Sequence, residues 1–109
     1  VNPEDQKIVD QIKKTLKEKY KPLRLFLYGS RANGSARPDS DYDFVMVLSE
    51  FDSKNQYELM SSITSTLRNE LDVEVQVWTY SEYDFLDWKD EFSSIPETAL
   101  NTGLELSLG

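Results

Sequence analysis

The chain contains no cysteine and no histidine. The first absence excludes disulfides and thiolate metal sites. The second removes the side chain that most often serves as a general base near neutral pH. A metal site here has to be built from oxygen donors, which suit Mg²⁺ or Mn²⁺ rather than Zn²⁺. Long apolar runs are missing too: the longest reach five or six residues, against about 20 for a membrane helix. Basic residues are few, 12 Lys and Arg against 20 Asp and Glu, for a net charge of -8 and a pI near 4.4. A free-standing nucleic-acid binder normally carries a basic field, so direct nucleic-acid binding is not expected. No signal peptide is visible in a chain that begins at Val1, and a cytoplasmic protein is the expectation.

What is present bounds the architecture. At 109 residues the chain is expected to form a single domain over 1–109, with one modest core. Its charge is uneven. Residues 1–24 hold seven basic and four acidic side chains, and the remainder five and sixteen. The plain account of the basic end is a solvated, lysine-rich helix; a docking face for an acidic partner is the sharper one.

Asn2 followed by Pro3 is a helix-start signal, and Ile8, Val9, Ile12, Leu16 and Tyr20 come after it at helical spacing, so a helix is expected over 3–20, stopped by Pro22. Alternation at Leu23, Leu25 and Leu27 predicts a first strand. A polar, glycine-bearing loop over 29–40 comes next, with a helical turn after Ser30. Asp41–Leu48 is a second strand, whose solid apolar end suits a central position covered on both faces. Ser53 or Asn55 should open a helix buried through Leu59, Met60, Ile63 and Leu67. Asp72–Tyr80 alternates as a third strand, with Val73, Val75 and Val77 on one face and Asp72, Glu74, Gln76 and Trp78 on the other. Residues 82–92 predict a short amphipathic helix. Pro96 breaks the chain, and Glu97–Leu106 is a candidate last helix ending near Gly103. The order describes an α/β (α+β) domain, a small mixed sheet with helices packed on it, and leaves strand order open.

The chemistry concentrates in Gly29–Val47, GSRANGSARPDSDYDFVMV. Gly29 permits a tight turn, and Ser30 can cap the helical turn behind it, so the exposed amides of the turn form an anion site. Asp41 and Asp43 lie two apart on a strand and project to one side. Two neighbouring carboxylates repel unless a cation lies between them or one takes a proton. Each feature alone has an ordinary explanation: a capped turn, or solvated charges at a strand start. Side by side they suit a phosphate cradle next to a divalent-metal site. Arg31 and Arg37 lie in the intervening loop, where either could neutralise a triphosphate.

The Gly29-Ser30 pair, the ten-residue spacing to Asp41, Asp43 two further on and the apolar strand behind it resemble the minimal nucleotidyltransferases (MNT proteins) of the polymerase-beta-like superfamily. The resemblance extends over the whole chain. It implies a polymerase-beta-like nucleotidyltransferase fold and transfer of a nucleotidyl group from ATP. Asp41 and Asp43 would hold Mg²⁺ (or Mn²⁺), and Gly29, Ser30, Arg31, Arg37 and Ser40 would bind the nucleotide. Members carry a third carboxylate on the next strand. Glu74 takes that place in this sequence as metal ligand and possible base, with Asp72 as the fallback. The acceptor hydroxyl, its pKa lowered by one metal ion, would then attack the α-phosphate in line, and the bond to the β-phosphate would break to release pyrophosphate on the other metal.

The resemblance also implies a biological setting. Many MNT proteins are antitoxins paired with a helical HEPN ribonuclease toxin, and some transfer AMP to a tyrosine of it. An adenylyltransferase acting on such a protein partner is therefore the leading expectation, with no membrane involved and an oligomer possible. The alternatives are a non-catalytic antitoxin of the same fold, docking through Phe85, Trp88 and Phe92, and a small-molecule nucleotidyltransferase. A template-gripping polymerase has least support, because no basic groove is apparent.

Overall fold

The computed structural model describes residues 2–49, 51 and 55–109. Helix α1 spans Pro3–Tyr20. It starts where Asn2 predicts, because the Asn2 side chain accepts a hydrogen bond from the Asp5 amide at 2.8 Å. It ends in the left-handed residue Lys21, ahead of Pro22. Asp5, Val9, Ile12 and Leu16 form its buried stripe.

Strand β1, Arg24–Tyr28, leads into a four-residue helix α2, Ser30–Asn33. Strand β2 is Tyr42–Leu48 and helix α3 is Gln56–Leu71. Asn55 holds the N-cap position of α3 but its side chain makes no capping hydrogen bond; Ser53, the other expected opener, lies outside the described residues. Strand β3 is Val75–Ser81, helix α4 Glu82–Trp88, helix α5 Ile95–Thr102 and strand β4 Leu104–Glu105.

Several of these boundaries correct the sequence-based expectation. Asp72 is left-handed, at φ 53°, and ends α3, so β3 begins only at Val75 and Glu74 precedes the strand. Asp41 likewise lies just before β2. Helix α4 stops at Trp88, four residues early. Pro96 sits within the first turn of α5, where a missing amide costs nothing, instead of breaking the chain ahead of it. Residues 104 and 105, expected at a helix end, form a strand.

The sheet order is β3-β2-β1-β4. Strands β1 and β2 are antiparallel, β2 and β3 parallel, and β1 and β4 antiparallel. Strand β2 is therefore central, as its apolar run requires. Its residues divide between two cores. Tyr42, Phe44 and Met46 pack with Val9, Ile12 and Leu16 of α1 and Ile63 and Leu67 of α3. Val45 and Val47 pack with Phe26, Phe85 and Ala99, beneath α4 and α5. Burying one such side chain is worth about 1.5–3 kcal/mol, so the two cores together fix the register of β2. That register positions the loop of residues 29–41.

Candidate active site

The site lies where β1 ends and β2 begins. Tyr28 pairs directly with Asp43 across the antiparallel ladder. Gly29 is next along the chain, at φ +77°, a conformation that L side chains rarely adopt. A Cβ on Gly29 would come within 3.1 Å of Asp43 Oδ2. The turn and the carboxylate are thus in contact, and only a glycine leaves the room. The carbonyl of Gly29 accepts from the amides of Ala32 and Asn33, both at 3.1 Å. The two amides ahead of these, from Ser30 and Arg31, have no intrahelical acceptor by helix geometry.

Alternation along β2 sends Tyr42 and Asp43 to opposite faces. Asp43 is half-buried, and burial, then the charge of Asp41, pushes its carboxyl above the usual range. Among the described residues no cation is paired with it. Asp41 is exposed. Tyr28 and Tyr80 are half-buried beside the second core. The Tyr28 hydroxyl is pushed well up by burial, with Asp43 and Tyr80 adding to the effect.

The other face of β2 holds a different arrangement. Arg31, expected at a triphosphate, is committed elsewhere. Its guanidinium donates to Asp5 Oδ1 at 3.0 Å, to the Ser40 carbonyl at 2.7 and 3.2 Å, and to the Pro38 carbonyl at 3.2 Å. It also lies 4.4 Å over the Tyr42 ring. The Tyr42 hydroxyl donates to the same Asp5 oxygen at 2.7 Å, and burial and this bond raise it to about 12. Arg31 is therefore a fastener that ties the loop of residues 34–41 to α1. Ser40 belongs to the same loop, its hydroxyl accepting from the Arg37 amide at 2.9 Å. The Arg37 side chain is exposed. Ser30, Arg37, Ser40, Asp41 and Glu74 line a cleft of about 650 Å³ beside α1; Asp43 and Gly29 are not in its lining.

Glu74 does not join the two aspartates. Its oxygens accept from Arg68 Nε at 2.9 Å and Arg68 Nη2 at 3.1 Å, an exposed bidentate pair that holds its carboxyl below the usual range. Asp72, the fallback, is exposed at the end of α3. No group of three carboxylates able to hold a metal forms among the described residues. The residue in register with Asp43 on β3 is Gln76, and sequence reasoning did not single it out. Its alternation was visible in the sequence, but the register was not. Asp41 and Asp43 are the carboxylates here that could hold an oxygen-bound cation such as Mg²⁺, which commonly takes one or two carboxylates together with phosphate oxygens.

No helix among the described residues is long and apolar enough to cross a membrane. Among curated proteins none matches the sequence significantly. A solved structure with a similar fold is that of a protein from Sulfolobus solfataricus assigned provisionally as a nucleotidyltransferase. It superposes with a TM-score of 0.55 and 22% sequence identity over 72% of this chain and 68% of that one. The profile of the family described as Polymerase beta, Nucleotidyltransferase matches residues 10–104. That match runs from within α1 to β4 and takes in the Gly29 turn and both aspartates, so the chain belongs to the polymerase beta nucleotidyltransferase family.

Proposed function

We propose that the chain transfers a nucleotidyl group from ATP to a hydroxyl on a protein partner, a tyrosine of a HEPN-type toxin, and acts in this way as an antitoxin. The contact between the Gly29 turn and Asp43 carries the proposal, since it puts a phosphate-binding turn against a carboxylate with no cation partner among the described residues. Amides of the turn and the Ser30 hydroxyl would hold phosphate oxygens. Arg37, exposed at the cleft, would neutralise the far end of the triphosphate. A divalent cation held by Asp41 and Asp43 would supply the positive charge that offsets the phosphates.

The surface supports a protein acceptor. Of the aromatic residues expected at a docking surface, Phe85 is instead buried in the second core, whereas Trp88 and Phe92 are exposed, as is Tyr83; the exposed ones lie among Glu82, Asp84, Asp87, Asp90 and Glu91. An acidic, aromatic face of this kind suits a basic partner such as a ribonuclease. The test is transfer of label from ATP carrying it on the α-phosphate, in Mg²⁺ with host lysate, beside an Asp41→Asn/Asp43→Asn control. A labelled protein band that needs both aspartates, and does not appear with γ-label, is the expected result. The pairing of Glu74 with Arg68 favours a second reading, an antitoxin that binds without transferring. A partner that co-purifies equally with both versions and carries no label would select it.

A further inference from the structure

The parallel register of β2 and β3 sets Tyr42 beside Val75, Asp43 beside Gln76 and Phe44 beside Val77. Tyr42, Phe44, Val75 and Val77 all belong to the core under α1 and α3. Asp43 and Gln76 therefore share the opposite face, on neighbouring strands about 4.8 Å apart. Glu74 lies two residues back along the chain, roughly 6–7 Å at strand rise, and is turned onto Arg68 of α3. Asp72 is further still, in the left-handed cap of α3. Every acidic side chain of the segment leading into β3 is thus displaced from Asp43, and a neutral amide stands beside it.

We propose that Gln76 occupies the place of a third metal-holding carboxylate, so that this site takes a nucleoside triphosphate together with one divalent cation and provides none for the acceptor hydroxyl. The proposal rests on the nucleotidyl-transfer reading above. Asp41 and Asp43, with oxygens of the triphosphate, supply the donors for one divalent cation. A second cation would need another anionic donor at the position of Gln76, whose amide offers a single neutral oxygen and no charge. The acceptor hydroxyl must then arrive already activated by its own surroundings, which suits a protein acceptor better than a free small alcohol.

The experiment counts bound Mn²⁺ by electron paramagnetic resonance in the presence of ATP whose α,β-bridging oxygen is replaced by methylene. The chains compared are the wild type, Gln76→Ala, Gln76→Asp and Gln76→Glu. One Mn²⁺ per chain is expected for the wild type and for Gln76→Ala. Two are expected for at least one acidic variant, with Mn²⁺ held at least about 10-fold more tightly. Melting in chelator keeps the outcome interpretable: the acidic variants should melt lower than wild type without metal, because a third carboxylate crowds Asp41 and Asp43, and should recover with Mn²⁺. Two Mn²⁺ on the wild type would overturn the proposal and leave triphosphate binding intact. A single Mn²⁺ on both folded acidic variants would overturn it as well. Failure of the wild type to bind the analogue would remove the nucleotidyl-transfer reading itself, and this proposal with it.

Discussion

Two carboxylates flank strand β2, one on each face, and they are handled in opposite ways. Asp5, near the Tyr42 side, is buried but paired: Arg31 donates to its Oδ1, and so does the Tyr42 hydroxyl. Asp43, one residue along from Tyr42, has a like-charged neighbour in Asp41 and a raised pKa. A buried charge with a cation and hydrogen bonds contributes to a fixed structure. A half-buried carboxylate beside another carboxylate is strained in isolation and is relieved by a ligand. The first face holds the loop in place and the second leaves a charge to be met.

Substitutions can break that contrast. Asp43→Asn should lower nucleotidyl transfer by about 10³-fold, several kcal/mol of transition-state stabilisation. Its melting temperature should stay level or rise, because the charge lost is one that folding disfavours; steady-state rates beside calorimetry would show this. Asp5→Ala should do the reverse. It strands Arg31 in a mostly buried position at a cost of about 3 kcal/mol, and hydrogen exchange over residues 34–41 should accelerate. If Asp5→Ala instead lost activity at unchanged stability, the two faces would not be separate in function.

Tyr42→Phe deletes one hydrogen bond to a charged acceptor and should cost about 2 kcal/mol. It also carries a pH signature. The Tyr42 pKa rises from 10.0 to about 12 on folding, so its stabilisation is complete below the lower value and is lost as pH climbs through the higher. Wild-type stability should fall across that window more steeply than that of the variant in alkaline denaturant titrations.

Gly29→Ala forces a side chain into a positive-φ, extended-ψ conformation that is essentially restricted to glycine, against Asp43 Oδ2, for about 1–2 kcal/mol, and should weaken binding of a triphosphate analogue measured by calorimetry. The smallest effect belongs to Arg68→Ala. The Arg68–Glu74 pair is fully exposed, so melting should not change measurably. Transfer should not change either. A rise in activity would mean that Glu74, once released, reaches the aspartates.

What the sequence disclosed divides along the same line as the chemistry. Local signals were legible: the Asn2-Pro3 start of α1, the central apolar run of β2, and the Gly29 turn with the two aspartates beyond it. Contacts between distant segments were not. Arg31 meets Asp5 across 26 residues, and nothing in the loop's composition announces that its arginine faces inward. The alternation of Val73 and Val75 around Glu74 reads as a strand, yet the left-handed Asp72 delays the strand until Val75. Gln76 acquires its importance only from the register between β2 and β3. Strand β4 is two residues long and has no periodicity to read.

The short strand β4 has a consequence in time. It closes the outer edge of β1, where Arg24 also holds Glu105 through two hydrogen bonds 81 residues apart in sequence. Contacts so distant form late, because a long loop must be closed before they repay its entropy. The strand that ends in the Gly29 turn is therefore completed near the finish of folding. On a chain still being synthesised, β1 has its β2 partner well before β4 has left the ribosome. The turn that would receive the nucleotide thus gains this support only after the elements from α1 to α5 have been made.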